Sequence, residues 1–208
     1  MPAVPQDGDV LPIFPLPNVI LFPHMKVPLF IFEPRYRQMV EDCLKRDRLI
    51  VMSLLRQGWE WDPIPNEIAC TGHVSKIEEL PNGEKNIVVQ GLARVMILGH
   101  KQQEPYLSGE IHLLKERKPA EDIEPLRRQL ATLMNQYIFL KPDIPDTLIQ
   151  ITNMIYDPGY LADFFTYYFF RDIHEKQRIL ETLDIAERCS KVIQHIENSL
   201  KELQGFAA

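Results

Sequence analysis

Residues 11–37 read LPIFPLPNVILFPHMKVPLFIFEPRYR, and five prolines, Pro12, Pro15, Pro17, Pro23 and Pro28, punctuate that apolar run. Proline has no N–H to give to a β-ladder, so within sheets it is confined to strand starts, edges and bulges. A stretch that would otherwise read as one long strand is therefore predicted as three short, bent ones: Val10–Phe14, Val19–Phe22 and Val27–Phe32. The run then breaks at Glu33-Pro34, and proline in the first helical position marks a helix start. Apolar residues recur at helical spacing through Tyr36, Met39, Val40, Cys43 and Leu44, so a helix is predicted from Pro34 to about Arg46.

Strand signals continue to residue 114 and then cease. Arg48–Leu55 is a continuous apolar run with the character of a buried strand. Arg56–Glu67 is predicted as a loop by its Gly and Pro content, and it carries both tryptophans, Trp59 and Trp61. Ile68–Leu80 is a strand, Pro81-Asn82-Gly83 a tight turn, and Asn86–Gly91 and Ala93–Leu98 the return. Tyr106–Leu114 alternates, with Leu107, Gly109, Ile111 and Leu113 on one side, which suits a half-exposed strand. After Lys118-Pro119 every apolar pattern is helical: Ile123–Leu140, Asp146–Ile155, Gly159–Phe170, Ile173–Leu183 and Ile185–Leu203. The expected class is α+β, with a β-rich part at 1–117 and a helical bundle at 118–208.

Charge narrows the function. The 208 residues carry a net charge of −6. Neither part is basic: residues 1–117 hold 13 Lys and Arg against 15 Asp and Glu, and 118–208 hold 10 against 14. Nucleic-acid binders usually announce a basic face, so polyanions are disfavoured as partners. Cys43, Cys70 and Cys189 are odd in number and widely separated, unlike a disulfide framework or zinc spacing, so a reducing cytoplasm is the expected setting. The start, MPAVPQDGDV, lacks a basic segment followed by an apolar run, and no stretch reaches the roughly 20 apolar residues of a membrane span. The expectation is a soluble, intracellular protein with no membrane association.

Catalytic signatures are missing. A phosphate-cradling loop needs two glycines five apart ahead of Lys-Ser/Thr, and the dinucleotide fingerprint needs glycines two and three apart. The nine glycines, at 8, 58, 72, 83, 91, 99, 109, 159 and 205, satisfy neither. There is no HExxH or CxxC, and the six histidines are scattered over both parts. The serines sit in strands or on charged helix faces with no glycine-rich elbow to present a nucleophile. The chain is expected not to be an enzyme, with no catalytic residue, cofactor or metal.

Five separated stretches, in order, carry a resemblance. They are Phe22–Phe30 (FPHMKVPLF), Phe32–Arg37 (FEPRYR), Ile77–Gly83 with Gly91 and Arg94 (IEELPNG, then GLAR), Ile155–Asp163 (IYDPGYLAD) and Glu175–Arg188 (EKQRILETLDIAER). Together they are similar to the N-terminal domain of Lon proteases over nearly the whole chain. The resemblance implies a PUA-like mixed or antiparallel β pseudo-barrel with one helix, followed by a helical bundle. It also implies a role in recognising unfolded or tagged polypeptide rather than cutting it. Ala208 follows the last helix, so a stand-alone protein of this kind is expected, and ATP-dependent proteolysis is not carried over. Partners are then polypeptide clients or a separate protease or ATPase, with room for a homo-oligomer. The alternative is an RNA-binding PUA-like protein, which would require a basic groove with stacking aromatics.

A receptor for non-native chains needs exposed apolar surface or an open sheet edge. The proline-rich strands, with Phe22 and Phe30, are natural edges. Phe164–Phe170 (FFTYYFF) puts rings around a whole helix circumference, so Phe165 and Tyr168 are read either as bundle core or as a contact face. Trp59 and Trp61 either anchor their loop or meet a partner. Glu33 and Arg35 either pair to fix the strand–helix junction or touch a client. Arg94, following Gly91, reads first as a structural ion-pair residue.

Overall fold

The computed structural model describes residues 4–57, 63–103, 105–119, 122–141, 143–145 and 147–205. Two compact units emerge: residues 1–115 with 172–181, and residues 116–171 with 182–208.

In the first unit, β1 (Val10–Leu16), β3 (Leu49–Gln57), β5 (Ile68–Glu79), β6 (Lys85–Gln103) and β7 (Tyr106–Leu113) form a ring. Antiparallel pairs join β1 to β7, β7 to β6, β6 to β5 and β5 to β3. A parallel pairing of β1 with β3, from Ile13↔Val51 to Leu16↔Leu54, closes the circuit. Each strand contributes to the enclosed core of Ile13, Val51, Ala69, Val95, Ile97, Leu107 and Ile111. This is the pseudo-barrel that the resemblance implied. Burial of each of these larger aliphatic side chains contributes roughly 1.5–3 kcal/mol.

Two strands lie outside the ring. Among the described residues, β2 (Lys26–Ile31) pairs with the first part of β6, and the two-residue β4 (Ile64–Pro65) pairs with β3. At the β5–β6 turn, Gly83 takes a φ of 79° and donates its N–H to the Leu80 carbonyl at 2.9 Å. The helix α1 (Pro34–Leu44) begins on its proline and buries Tyr36, Met39, Val40 and Cys43, as its spacing predicted.

One predicted strand is absent. Val19–Phe22 has no ladder; Ile20, Leu21 and Phe22 are instead buried in succession. A pleated strand sends successive side chains to opposite faces, whereas here the chain dives across the β6 bend. Gly91 accepts from the His24 N–H at 3.0 Å and donates to the Met25 carbonyl at 2.8 Å. A methyl group on Gly91 would run into the carbonyl oxygen of Phe22. The Gly in GLAR is therefore required by backbone approach. Arg94 of the same stretch is buried and donates through Nε to the Leu180 carbonyl at 2.9 Å.

That last bond explains a shift in organisation. Helix α5 (Ile173–Glu181), grouped by sequence with the bundle, belongs to the β unit. Besides the Arg94 contact, Gln177 Nε2 donates to the Ile68 carbonyl at 3.0 Å. Amphipathic spacing identified this helix but could not say which core receives its face.

The second unit comprises α2 (Glu124–Phe139), α3 (Thr147–Met154), α4 (Pro158–Phe169) and α6 (Ile185–Gly205). Asp157 caps α4 by accepting the Tyr160 N–H at 2.7 Å, with Pro158 in the first turn. Arg188 of α6 is fully buried. Its Nη2 lies 2.6 Å from Glu116 Oε1, its Nε 3.3 Å from Asp163 Oδ1, and Nη1 donates to the Thr182 carbonyl at 2.9 Å. Gly159 leaves room for it, since a Cβ there would lie 2.5 Å from Arg188 Nη2. The stretches DPGYLAD and IAER thus meet in one buried ionic joint.

Removing one partner of such a pair strands the other charge, so Asp163→Ala should lower unfolding free energy by about 3–5 kcal/mol in urea titration. Gly159→Ala, which crowds the guanidinium, should cost about 1–3 kcal/mol. Burial pushes the Cys43 and Cys189 thiols up to about 12. Thiolate is the reactive form, so all three buried cysteines should resist a disulfide reagent near neutral pH and react together once the chain is unfolded. Because the unfolded thiols ionise near their ordinary value and the folded ones do not, their stabilising contribution is complete below about pH 9 and is lost as pH rises toward 12. Cys43→Ala should flatten that alkaline loss.

Candidate functional site

Pairing registers place three strands side by side in the order β2, β6, β5. Pro28 faces Val88, which faces Lys76; Phe30 faces Asn86, which faces Glu78. Directly opposed residues share a face, and so do residues two apart along a strand. One face therefore carries Pro28 and Phe30, then Val88 and Asn86, then Lys76 and Glu78. The opposite face carries Val27, Ile31, Ile87 and Val89, all buried. Buried Lys85 joins them, its Nζ 3.1 Å from Glu79 Oε1 and 3.5 Å from Glu41 Oε1.

The outer face holds a groove of about 750 Å³, lined in part by Pro28, Phe30, Ser75, Lys76, Glu78 and Val88. Phe30 is 51% exposed and Phe32, just beyond β2, is 57% exposed. Their ring centroids lie 5.9 Å apart. Two large rings held together in solvent are costly unless covered. Polar groups around them are mostly engaged: Asn86 Nδ2 donates to Glu78 Oε2 at 3.1 Å, and the Ser75 hydroxyl donates to the Val88 carbonyl at 3.0 Å. Ser75 thus serves the strand pair, so the groove offers contact area rather than an activated nucleophile.

The residues singled out from sequence fall in different places. Phe30 lies on the groove. Glu33 and Arg35 pair with each other, with Arg35 Nη2 2.8 Å from Glu33 Oε2, and the guanidinium sits 4.6 Å from the centroid of the Tyr36 ring. They fasten the start of α1. Phe22 and Phe165 need correcting as contact residues, because both are fully buried and present no ring to a partner. Phe22 lies where the chain crosses Gly91. Phe165 packs edge-on against Tyr137 at 5.3 Å within the second unit. Tyr168, one helical step beyond that core, is 51% exposed. Trp59 and Trp61 lie outside the described residues.

Sequence reasoning passed over Phe32, Val88, Lys76 and Glu78. The run VPLFIF is apolar in both phases, so alternation could not tell which side of β2 faced outward.

Among the described residues no group of three or more His, Cys, Asp and Glu gathers as a metal site, and no helix is long and apolar enough to cross a membrane. In β5, burial, then the positive charge of Arg48, holds the His73 imidazole below its ordinary range.

Comparison with known proteins agrees with this architecture. Two solved structures share the fold. An N-terminal domain of a Mycobacterium avium complex Lon protease has a TM-score of 0.76 at 18% identity, covering 91% of this chain and 98% of that one. A Lon N-terminal domain protein from Xanthomonas campestris has a TM-score of 0.69 at 17% identity, covering 89% and 98%. Curated relatives include the Lon proteases of Dictyoglomus thermophilum, 33% identical over 94% of this chain, and of Azospirillum brasilense, 30% identical over 95%. The chain spans about a quarter of the length of these relatives, 25% in both cases. Residues 10–198, from the first strand of the ring to the last helix, match the family described as the ATP-dependent protease La (LON) substrate-binding domain, and the chain belongs to that family.

Proposed function

We propose that this chain is a non-catalytic protein-interaction module that captures unfolded or tagged polypeptide, or a partner of a proteolytic system, on the outer β2–β6–β5 face. The observation that carries the reading is the exposed Phe30–Phe32 pair beside a groove on an edge strand, in a family named for substrate binding. Non-native chains differ from folded ones by exposed apolar side chains and unpaired backbone groups. A sheet edge answers the second and the phenylalanines the first. Covering a half-exposed aromatic ring contributes about 1–2 kcal/mol, so this face suits weak, reversible capture and release. The three buried cysteines, thiols rather than disulfides, support a reducing cytoplasm as the setting. A separate protease or ATPase would act on what is held.

The test is a fluorescence-anisotropy titration with a reduced, carboxymethylated and hence permanently unfolded protein. Wild type should bind it, and Phe30→Asp or Phe32→Asp should each weaken binding about tenfold or more while leaving the melting temperature unchanged. Equal binding by both variants, or none by wild type, contradicts the reading. Strong, salt-sensitive retention of RNA on a filter would favour the RNA-binding alternative instead. Incubated with ATP and the same client, the purified chain should release neither phosphate nor peptides. Turnover that disappears on a single substitution would refute the non-catalytic assignment.

A further inference from the structure

The outward edge of β2 presents a fixed pattern of backbone groups. Residues along a strand turn their N–H and C=O alternately to one neighbour and to the other. The Val88 carbonyl accepts the Ser75 hydroxyl of β5 at 3.0 Å, and the Gly91 N–H donates to the Met25 carbonyl at 2.8 Å. In this part of β6, even-numbered residues therefore turn toward β5 and odd-numbered ones toward β2. Pro28 stands opposite Val88 and Phe30 opposite Asn86, so the backbone groups of Pro28 and Phe30 aim away from β6. Val27, Leu29 and Ile31 complete the ladder on the inner side. The proline thus sits where its missing N–H takes nothing from the sheet. Among the described residues no strand pairs with β2 on that outward side.

We propose that the captured client is an extended segment that joins β2 as an added antiparallel strand, with apolar, amide-bearing residues at alternate positions. This rests on the capture reading and specifies what the edge accepts. Strand addition is a general mode of peptide recognition, and the antiparallel sense continues the β2–β6 pairing and is the more stable per residue. A client residue opposite Phe30 donates to its carbonyl and accepts its N–H, whereas one opposite Pro28 donates to the carbonyl alone. Both must carry an N–H, so proline is refused at these positions and tolerated between them. Directly opposed residues share a face, so the side chains of the same client residues lie beside Phe30 and the groove. Lys26, Lys76 and Glu78 give that exposed face both signs of charge, which leaves backbone and apolar contact as the selecting features. A second copy suits the edge less well. Pairing two β2 edges across Pro28 includes the missing donor twice, where a client strand meets it once.

Fluorescence anisotropy with a labelled peptide, Lys-Thr-Val-Thr-Val-Thr-Val-Lys, tests this. The unmodified peptide should bind wild type. N-methylation of its valine amides removes the donors that face β2 and should weaken binding about tenfold or more, whereas N-methylation of the threonine amides should change it about twofold or less. Pro28→Val supplies the absent N–H and should tighten binding about two- to tenfold with an unchanged melting temperature. Equal effects of the two methylated sets, a larger loss from the threonine set, or a Pro28→Val that binds no more tightly overturns strand addition. So does a wild type whose edge is taken by a second copy, seen as twice 24.3 kDa in sedimentation and lost on Phe30→Asp. An unmodified peptide that fails to bind although the carboxymethylated client binds also overturns it, and capture by apolar contact alone then stands. If wild type holds neither, the capture reading itself fails and this inference with it.

Discussion

The parallel pairing of β1 with β3 is the constraint from which the β unit follows. Without it, five strands would form an open sheet with two long edges, and open edges invite association with any extended chain. With it, the ring closes, and Ile13 meets Val51 inside while its other neighbour, Leu107, completes the core. Closure removes those edges from the ring itself. Among the described strands, open edges are then left to the accessory ones, chiefly β2, which borders β6. An aggregation hazard is reduced to a short, proline-bearing edge next to a groove. That is the geometry a capture surface needs: enough open backbone and apolar area to hold a non-native segment, too little to polymerise.

Three of the recognisable stretches prove to be structural. DPGYLAD supplies a cap, a helix-starting proline, a glycine that clears space and an aspartate; IAER supplies the arginine that fills that space. GLAR supplies a glycine for backbone crossing and an arginine that ties α5 to the β unit. Such stretches hold the fold together. They say little about what is bound. Two residues that face solvent with unspent apolar area also belong to recognisable stretches: Phe30 ends FPHMKVPLF and Phe32 opens FEPRYR.

This division explains how much could be read from the chain. Proline placement and helical periodicity located β1, β2, α1 and all the later helices to within a few residues, because those signals are local. Val19–Phe22 was misjudged as a strand because its burial depends on Gly91, about seventy residues away. The partner core of α5 was hidden for the same reason: its fastening runs through Arg94 and the Ile68 carbonyl. Among the candidate contacts, Phe30 and Tyr168 were legible as exposed rings only in part, since a helix or strand that is apolar on every side does not announce which side is inner. Phe22 and Phe165 show the cost of that ambiguity.

Amide hydrogen exchange, measured with and without the permanently unfolded client, addresses the central claim most directly, because it reports where a held chain lies without relying on substitutions. The account predicts new protection concentrated in Lys26–Ile31, with smaller effects on the neighbouring face of β6 and β5, and none across α2 and α3. Protection confined to the second unit, or exchange unchanged at a client concentration that saturates binding, would contradict it.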